Sequence, residues 1–341
     1  MPELSVGIVA IGRNEGERLK ACLRSVVGSG PVVYVDSGST DGRQDFARSL
    51  AVEVVSLAVP PNFTAARARN AGAATLFAKH PALAYVQFVD GDCEVRPDWI
   101  ARGATALKAD PGLALVFGRR RERYPDRSIY NALCDDEWDV PVGEVGACGG
   151  DILIRADAFR AVAGYPETMI AGEEPDMSMR LRAAGWRLAR IAGEMTLHDA
   201  AITRFGQWWK RTQRAGHAFA ELAWRHPAST WPDWGASVRR DVLWGGLLPA
   251  LAAAGLVAAT ASGHPALLLI PALYVAGVCL NVARIFVRRR REGVAPRIAR
   301  ASALLLMVGK IPECLGILGF HWNRLSGRNS TLIEYKSAEA A

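Results

Sequence analysis

The chain has 341 residues, half of them hydrophobic, with a net charge of +7, enough for one large or two modest domains. The basic balance does not point to nucleic acid: its densest cluster, Arg288-Arg289-Arg290-Arg291, directly follows an apolar run, where membrane topology places cations. The six cysteines (Cys22, Cys93, Cys134, Cys148, Cys279 and Cys314) show no CxxC spacing, which argues against a zinc site or a disulfide framework.

Met1-Pro2-Glu3-Leu4 lacks a cationic stretch, so no signal peptide is expected. Residues 6–11 read as a buried strand. After Gly12-Arg13-Asn14-Glu15, the spacing of Leu19, Cys22, Leu23, Val26 and Val27 predicts a helix capped by Asn14 and stopped by Gly28-Ser29-Gly30-Pro31. A second strand, Val32–Val35, ends at Asp36 and turns through residues 37–42. A third covers Glu53 to Leu57, before a Pro60-Pro61 loop. Thr64 then caps a helix reaching about Lys79, and the strand Tyr85–Val89 delivers Asp90-Gly91-Asp92. Leu113–Phe117 is a further strand; 119–141 is charged and aromatic without periodicity and reads as a loop-rich insert. Residues 149–164 give a glycine turn, a short strand and a short helix. A helix from about Pro175 to Gly185 precedes the short strand Trp186–Ala192. Alternating strands and helices with strands apolar on both faces predict a mostly parallel α/β sheet, with ligands bound outside the strands' carboxyl ends.

Phe205, Trp208, Trp209, Thr212, Ala215, Phe219, Leu222 and Ala223 keep helical spacing, opposite Lys210, Arg211 and Arg214. Such a helix lies in a bilayer interface or packs on a core; the interface is the favoured expectation. No Asp, Glu, Lys or Arg occurs from Leu243 to Ala283, which is about 60 Å of helix, roughly twice the hydrocarbon thickness. Ser262-Gly263-His264-Pro265 breaks the run into spans near 242–261 and 266–287. A third apolar segment, 301–320, carries Lys310, Pro312 and Glu313. Charge at that depth is costly, so it is either a polar span or a re-entrant or interfacial pair of short helices. The second is favoured, because Arg324, Arg328 and Lys336 suit a cytosolic carboxyl terminus.

Asp90 and Asp92 point to one side of their strand end. They form either a polar turn or a site whose repulsion is relieved by a divalent cation carrying phosphate oxygens. Arg67 and Arg69, in the first turns of their helix, oppose its dipole unless an anion binds nearby. Asp36 is a nucleotide acceptor or a turn former. Glu173 and Glu174 stand before the helix start at Pro175, and one of them can serve as general base. His198 is a further metal ligand or a structural histidine.

In order, GRNE, VDSGSTD, FTAARARNAG, FVDGDC, GGD, GEEPDMSMRLRAAGW and a late His resemble the family 2 glycosyltransferases of GT-A fold, over roughly residues 4–200. The carboxyl-terminal Leu332-Ile333-Glu334-Tyr335-Lys336 resembles membrane-associated members of exopolysaccharide or glycolipid pathways. The resemblance implies a GT-A-like (Rossmann-like) catalytic domain over 1–202. Interfacial helices over 203–240, membrane helices over 241–322 and a cytosolic tail over 323–341 would follow. It implies inverting transfer from a nucleotide-sugar with Mg²⁺ or Mn²⁺ as cofactor. Asp36, Arg67, Arg69, Asp90 and Asp92 would bind the donor, Asp92 and His198 the metal, and Glu174 (alternatively Glu173) would be the base. The bilayer and a lipid-linked or membrane-proximal acceptor are the expected partners, with the catalytic domain on the cytoplasmic face of a multi-pass inner-membrane protein. Gln207-Trp208-Trp209-Lys210-Arg211 only echoes the Gln-x-x-Arg-Trp motif of processive synthases, so single addition is expected. The alternatives are a polyprenyl-phosphate glycosyltransferase and a non-catalytic nucleotide-sugar-binding membrane subunit.

Overall fold

The computed structural model describes residues 5–58 and 63–328; Met1–Leu4, the Pro60-Pro61 loop and the segment with Lys336 lie outside the described residues. The chain divides into two compact units, one from the stretches up to Pro125 and Cys134–Ala201, the other from Asp126–Leu133 and Ile202 onward.

The first unit is built on a mixed sheet of β1 (Val6–Gly12), β2 (Val32–Asp36), β3 (Glu53–Ser56), β4 (Tyr85–Asp90), β5 (Cys93–Val95), β6 (Leu113–Glu122), β7 (Gly143–Glu144), β8 (Ile152–Arg155) and β9 (Arg187–His198). The order is β3-β2-β1-β4-β8-β6-β9-β5, with β7 on β9. The expected parallel arrangement holds from β3 to β4 and between β6 and β9. It is interrupted by β8, antiparallel to both neighbours.

Among the described residues six helices accompany the strands, α1 (Glu17–Val26), α2 (Arg43–Ser49), α3 (Ala65–Lys79), α4 (Trp99–Ala109), α6 (Ala156–Ala161) and α7 (Glu173–Ala183), while α5 (Ile129–Glu137) begins in the second unit and ends in the first. Successive strand residues face opposite sides. Val9 and Ile11 therefore join a core with Leu76, Phe159 and Met177 of α3, α6 and α7. Ile8 and Ala10 join another with Leu19, Leu23, Trp99 and Leu107 of α1 and α4.

Three local expectations change. Asn14 does not cap α1, whose N-cap is Gly16; its Oδ1 accepts from Thr40 N at 2.8 Å and ties two loops together. The charged stretch after Phe117 is not all loop, because β6 continues to Glu122 and α5 follows. The helix expected from Pro175 begins at Glu173, behind Gly172 at φ 87°, so both glutamates belong to its first turn.

The second unit holds α8 (Phe205–Arg225), α9 (Trp234–Val242), α10 (Leu248–Ser262), α11 (Leu269–Arg291), α12 (Pro296–Val308) and α13 (Lys310–Leu325). A π-helical turn, Leu243–Leu247, joins α9 to α10. Three helical runs, Trp234–Ser262, Pro265–Arg291 and Pro296–Leu325, are long and apolar enough to cross a membrane. Within the expected 203–240 segment, α8 is partly covered by protein. Its Trp208, Thr212 and Ala220 are buried, and Ala220 packs on Ile317 and Phe320 of α13. A side chain at Gly216 would collide with the Glu313 backbone, and one at Gly316 with that of Gln213. Small residues let these backbones approach; of the apolar stripe Trp208, Thr212 and Leu222 are buried, while Phe205 is exposed.

The charges that argued against a third span are paired. Lys310 Nζ lies 2.7 Å from Asp241 Oδ1 and 2.6 Å from Glu313 Oε2, and Asp241 is fully buried. Removing one partner of a buried ion group strands the others, at about 3–5 kcal/mol. Lys310→Met is expected to destabilise the protein on that scale and Lys310→Arg much less, read by melting the full chain in detergent.

Candidate active site

The carboxyl ends of β1, β2 and β4 and the start of α7 bring most of the expected residues together in the first unit. Arg69, in the second turn of α3, is 2 % exposed. Its Nη2 donates to Asp90 Oδ1 at 2.8 Å, and its Nη1 to Glu173 Oε1 at 3.1 Å and Glu174 Oε1 at 3.0 Å. The guanidinium also stands over the Tyr165 ring, 5.3 Å from its centroid. A side chain at Gly150 would collide with Arg69 Nη2, so the glycine turn before β8 leaves room for the ion cluster. Arg69, expected to face a diphosphate, has its two Nη groups on three carboxylates, while its Nε is buried without a hydrogen-bond partner.

A second cation, Arg120, was not foreseen. It donates from Nη2 to Asp90 Oδ2 at 3.0 Å and from Nε to Asp151 Oδ2 at 2.9 Å, and stacks over Trp138. Asp151 also accepts from Thr196 Oγ1 and from Asp90 N. Burial pushes the Asp90 carboxyl up, but Arg69 and Arg120 outweigh it and hold Asp90 well below the usual carboxylate range. Glu174 goes the other way. Burial, then the charge of Glu173, raise it to about 7 against the pull of Arg69. Its side chain is 17 % exposed and that of Glu173 4 %, so Glu174 is the more open of the two.

Asp92 and His198 meet because β5 pairs antiparallel with the end of β9, Cys93 opposite His198. His198 Nε2 lies 3.2 Å from Asp92 Oδ2. Asp92, Cys93 and His198 each present a ligand atom within 4.8 Å of one another. Burial pushes the Cys93 thiol well up, which leaves it neutral. Burial, then Arg120, lower His198, so its imidazole is neutral at pH 7. One carboxylate and one neutral imidazole suit a divalent ion that keeps open positions for phosphate oxygens. His198 Nδ1 is buried without a hydrogen-bond partner, and its ring lies nearly perpendicular to that of Trp138, 4.7 Å between centroids.

Asp36 and Arg67 sit apart from these groups. Asp36 is fully buried. Its Oδ2 accepts from Gly38 N, Ser39 N and Gln44 Nε2, and its Oδ1 from Tyr34 OH. Of the two readings of Asp36, the structure displays the turn former. Arg67 donates from Nη2 to Ala58 O. Arg120, Asp151 and Glu122 were missed. For Asp151 a signal existed, an acid directly after Gly149-Gly150 and before an apolar strand. Arg120 and Glu122 lie in a charged run with no apolar alternation to mark a strand.

The model of the family described as Glycosyl transferase family 2 matches residues 5–155. The chain is 24 % identical over 225 residues to glycosyltransferase AglE of Haloferax volcanii, covering 62 % of this chain and 71 % of that one. It is 28 % identical over 240 residues to the pre-mycofactocin glycosyltransferase of Mycobacterium tuberculosis, covering 67 % of this chain and 49 %, about half, of that relative. The structure of mannosyltransferase PcManGT from Pyrobaculum calidifontis, solved with GDP-Man and Mn²⁺, is similar in fold, with a TM-score of 0.59 at 20 % identity over 92 % of this chain and 87 % of that one.

Proposed function

We propose that the chain, whose residues 5–155 match the model of glycosyl transferase family 2, is an inverting, divalent-metal-dependent enzyme moving one sugar from a nucleotide-sugar to a hydroxyl of a lipid-linked or membrane-proximal acceptor. The observation that carries this reading is the placement of Glu174, a largely buried carboxyl raised to about 7 in the same ion cluster as Asp90.

Asp92 and His198 would hold Mg²⁺ or Mn²⁺, which supplies charge neutralisation for the departing nucleoside diphosphate. Asp90, held ionised by Arg69 and Arg120, accepts hydrogen bonds from the donor's ribose. Asp36 acts through the loop it folds, residues 37–41, presenting that loop to the nucleotide base. Arg69 positions Glu173 and Glu174, and Glu174 takes the proton from the attacking hydroxyl as it displaces the diphosphate. A base near the working pH is the most effective. The apolar helices of the second unit support residence in the inner membrane with the first unit cytoplasmic, the side on which soluble nucleotide-sugars are available.

The test is a thermal-shift screen of the full chain in detergent against a panel of nucleotide-sugars, with and without Mn²⁺. At least one donor is expected to raise the melting temperature only with Mn²⁺, and Asp92→Ala is expected to erase that increment. No metal-dependent shift with any donor would overturn the site as drawn.

A further inference from the structure

Behind His198 stands a buried carboxylate that the reading above does not use. Glu122, the last residue of β6, is opposite His198 in the β6–β9 register and 3 % exposed. Its Oε1 accepts from Tyr124 N at 3.0 Å and its Oε2 from Ala200 N at 2.9 Å, so its orientation is fixed from both sides of the sheet end. Oε2 lies 3.8 Å from His198 Nδ1, too long for a hydrogen bond. On the opposite side of the ring, Nε2 is 3.2 Å from Asp92 Oδ2. Nδ1 is buried without a hydrogen-bond partner in this geometry. A ligating imidazole needs its lone pair on the metal-side nitrogen and a proton on the other, usually held by a carboxylate or carbonyl.

We propose that Glu122 is the positioning residue for His198. A small rotation of the ring closes the gap between Nδ1 and Oε2, so that the fixed carboxylate accepts from Nδ1–H and leaves the Nε2 lone pair facing the Asp92 side, where a divalent ion would be held.

The inference rests on the metal site proposed above, and the experiment separates the two. Mn²⁺ binding to the full chain in detergent is measured by electron paramagnetic resonance, for wild type, Glu122→Gln and Glu122→Asp. Histidine ¹⁵N spectra are recorded without metal and with saturating Mg²⁺, with His198→Gln identifying the resonances. Wild type is expected to show the Nδ1–H tautomer of His198 with Mg²⁺, and Glu122→Gln to lose that preference. Glu122→Gln is expected to lose about 10–100-fold in Mn²⁺ affinity, with Glu122→Asp between the two; a protein that merely needs Glu122 to fold would not lose the tautomer preference. If Glu122→Gln does not fold, Glu122→Asp carries the comparison. Wild type that binds Mn²⁺ while the variants bind it equally well, or His198 that carries Nε2–H under Mg²⁺, would overturn this proposal alone. Wild type that binds no Mn²⁺ would overturn the metal site itself.

Discussion

Glu174→Gln is expected to lower turnover by about 10²–10⁴-fold, the usual contribution of a positioned general base, while donor binding stays intact. The amide keeps the size and one acceptor oxygen, so the contact with Arg69 Nη1 survives and only the proton-accepting capacity goes. The measurement is nucleoside diphosphate release under saturating donor and Mn²⁺, with donor affinity followed separately. The wild-type pH profile gives an independent sign. Transfer needs the ionised carboxylate, so the rate is expected to rise with pH through about 7, the value to which burial and Glu173 push this group. Glu174→Gln should flatten that limb. The same shift costs stability: the fold favours the acid form, so a contribution fully present below the ordinary value of 4.5 is lost as pH rises through about 7. Full activity in Glu174→Gln would sink the base assignment and favour a polyprenyl-phosphate acceptor, whose nucleophile is already an anion.

Arg69→Met is expected to destabilise the first unit by about 3–5 kcal/mol, the range for removing one partner of a buried ion group. The methionine fills much of the volume but leaves Glu173 and Glu174 without the guanidinium that holds them together, and Asp90 with Arg120 alone. For a unit of this size that corresponds to a drop of roughly 6–20 °C in melting temperature. Arg69→Lys is expected to fall in between, since an ammonium keeps the charge without the planar fork that reaches both sides. A melting temperature within a degree of wild type for Arg69→Met would show that the cluster contributes no net stability. The prediction also separates two roles for this residue: a donor dedicated to the leaving diphosphate would change kinetics and spare stability.

Much of the frame was legible because it follows from local rules. Consecutive apolar residues in β1, β2 and β4 marked strands buried on both faces. Thr64 reads as an N-cap and accepts from Arg67 N. Asp176 and Arg180, four apart on α7, pair at 2.7 Å. Asp36 and Asp90 fall at strand ends, as read. The charge-free run from Leu243 to Ala283 implies two apolar helices whatever surrounds them.

Other features depended on contacts between distant residues. His198 meets Asp92 only because β9 runs six residues past the expected Ala192 and pairs with β5. Its value as a ligand candidate rests on that pairing, since a lone histidine carries no spacing. Arg120 and Glu122 were hidden in a charged stretch because their partners, Asp151 and the Ala200 backbone, are far along the chain, so no alternation betrays the strand. Arg69 could be placed near the site from its helix, but its role was decided by Glu173 and Glu174, more than a hundred residues away. The apolar stripe of α8 fits lipid or protein equally well, and only its packing against α13 shows which part of it is covered. The sequence by itself determined which residues prefer strand, helix and apolar surroundings, because those preferences act over a few residues. The tertiary structure alone decided which charges neutralise one another, because an ion pair's worth depends on distance and burial, and neither is local.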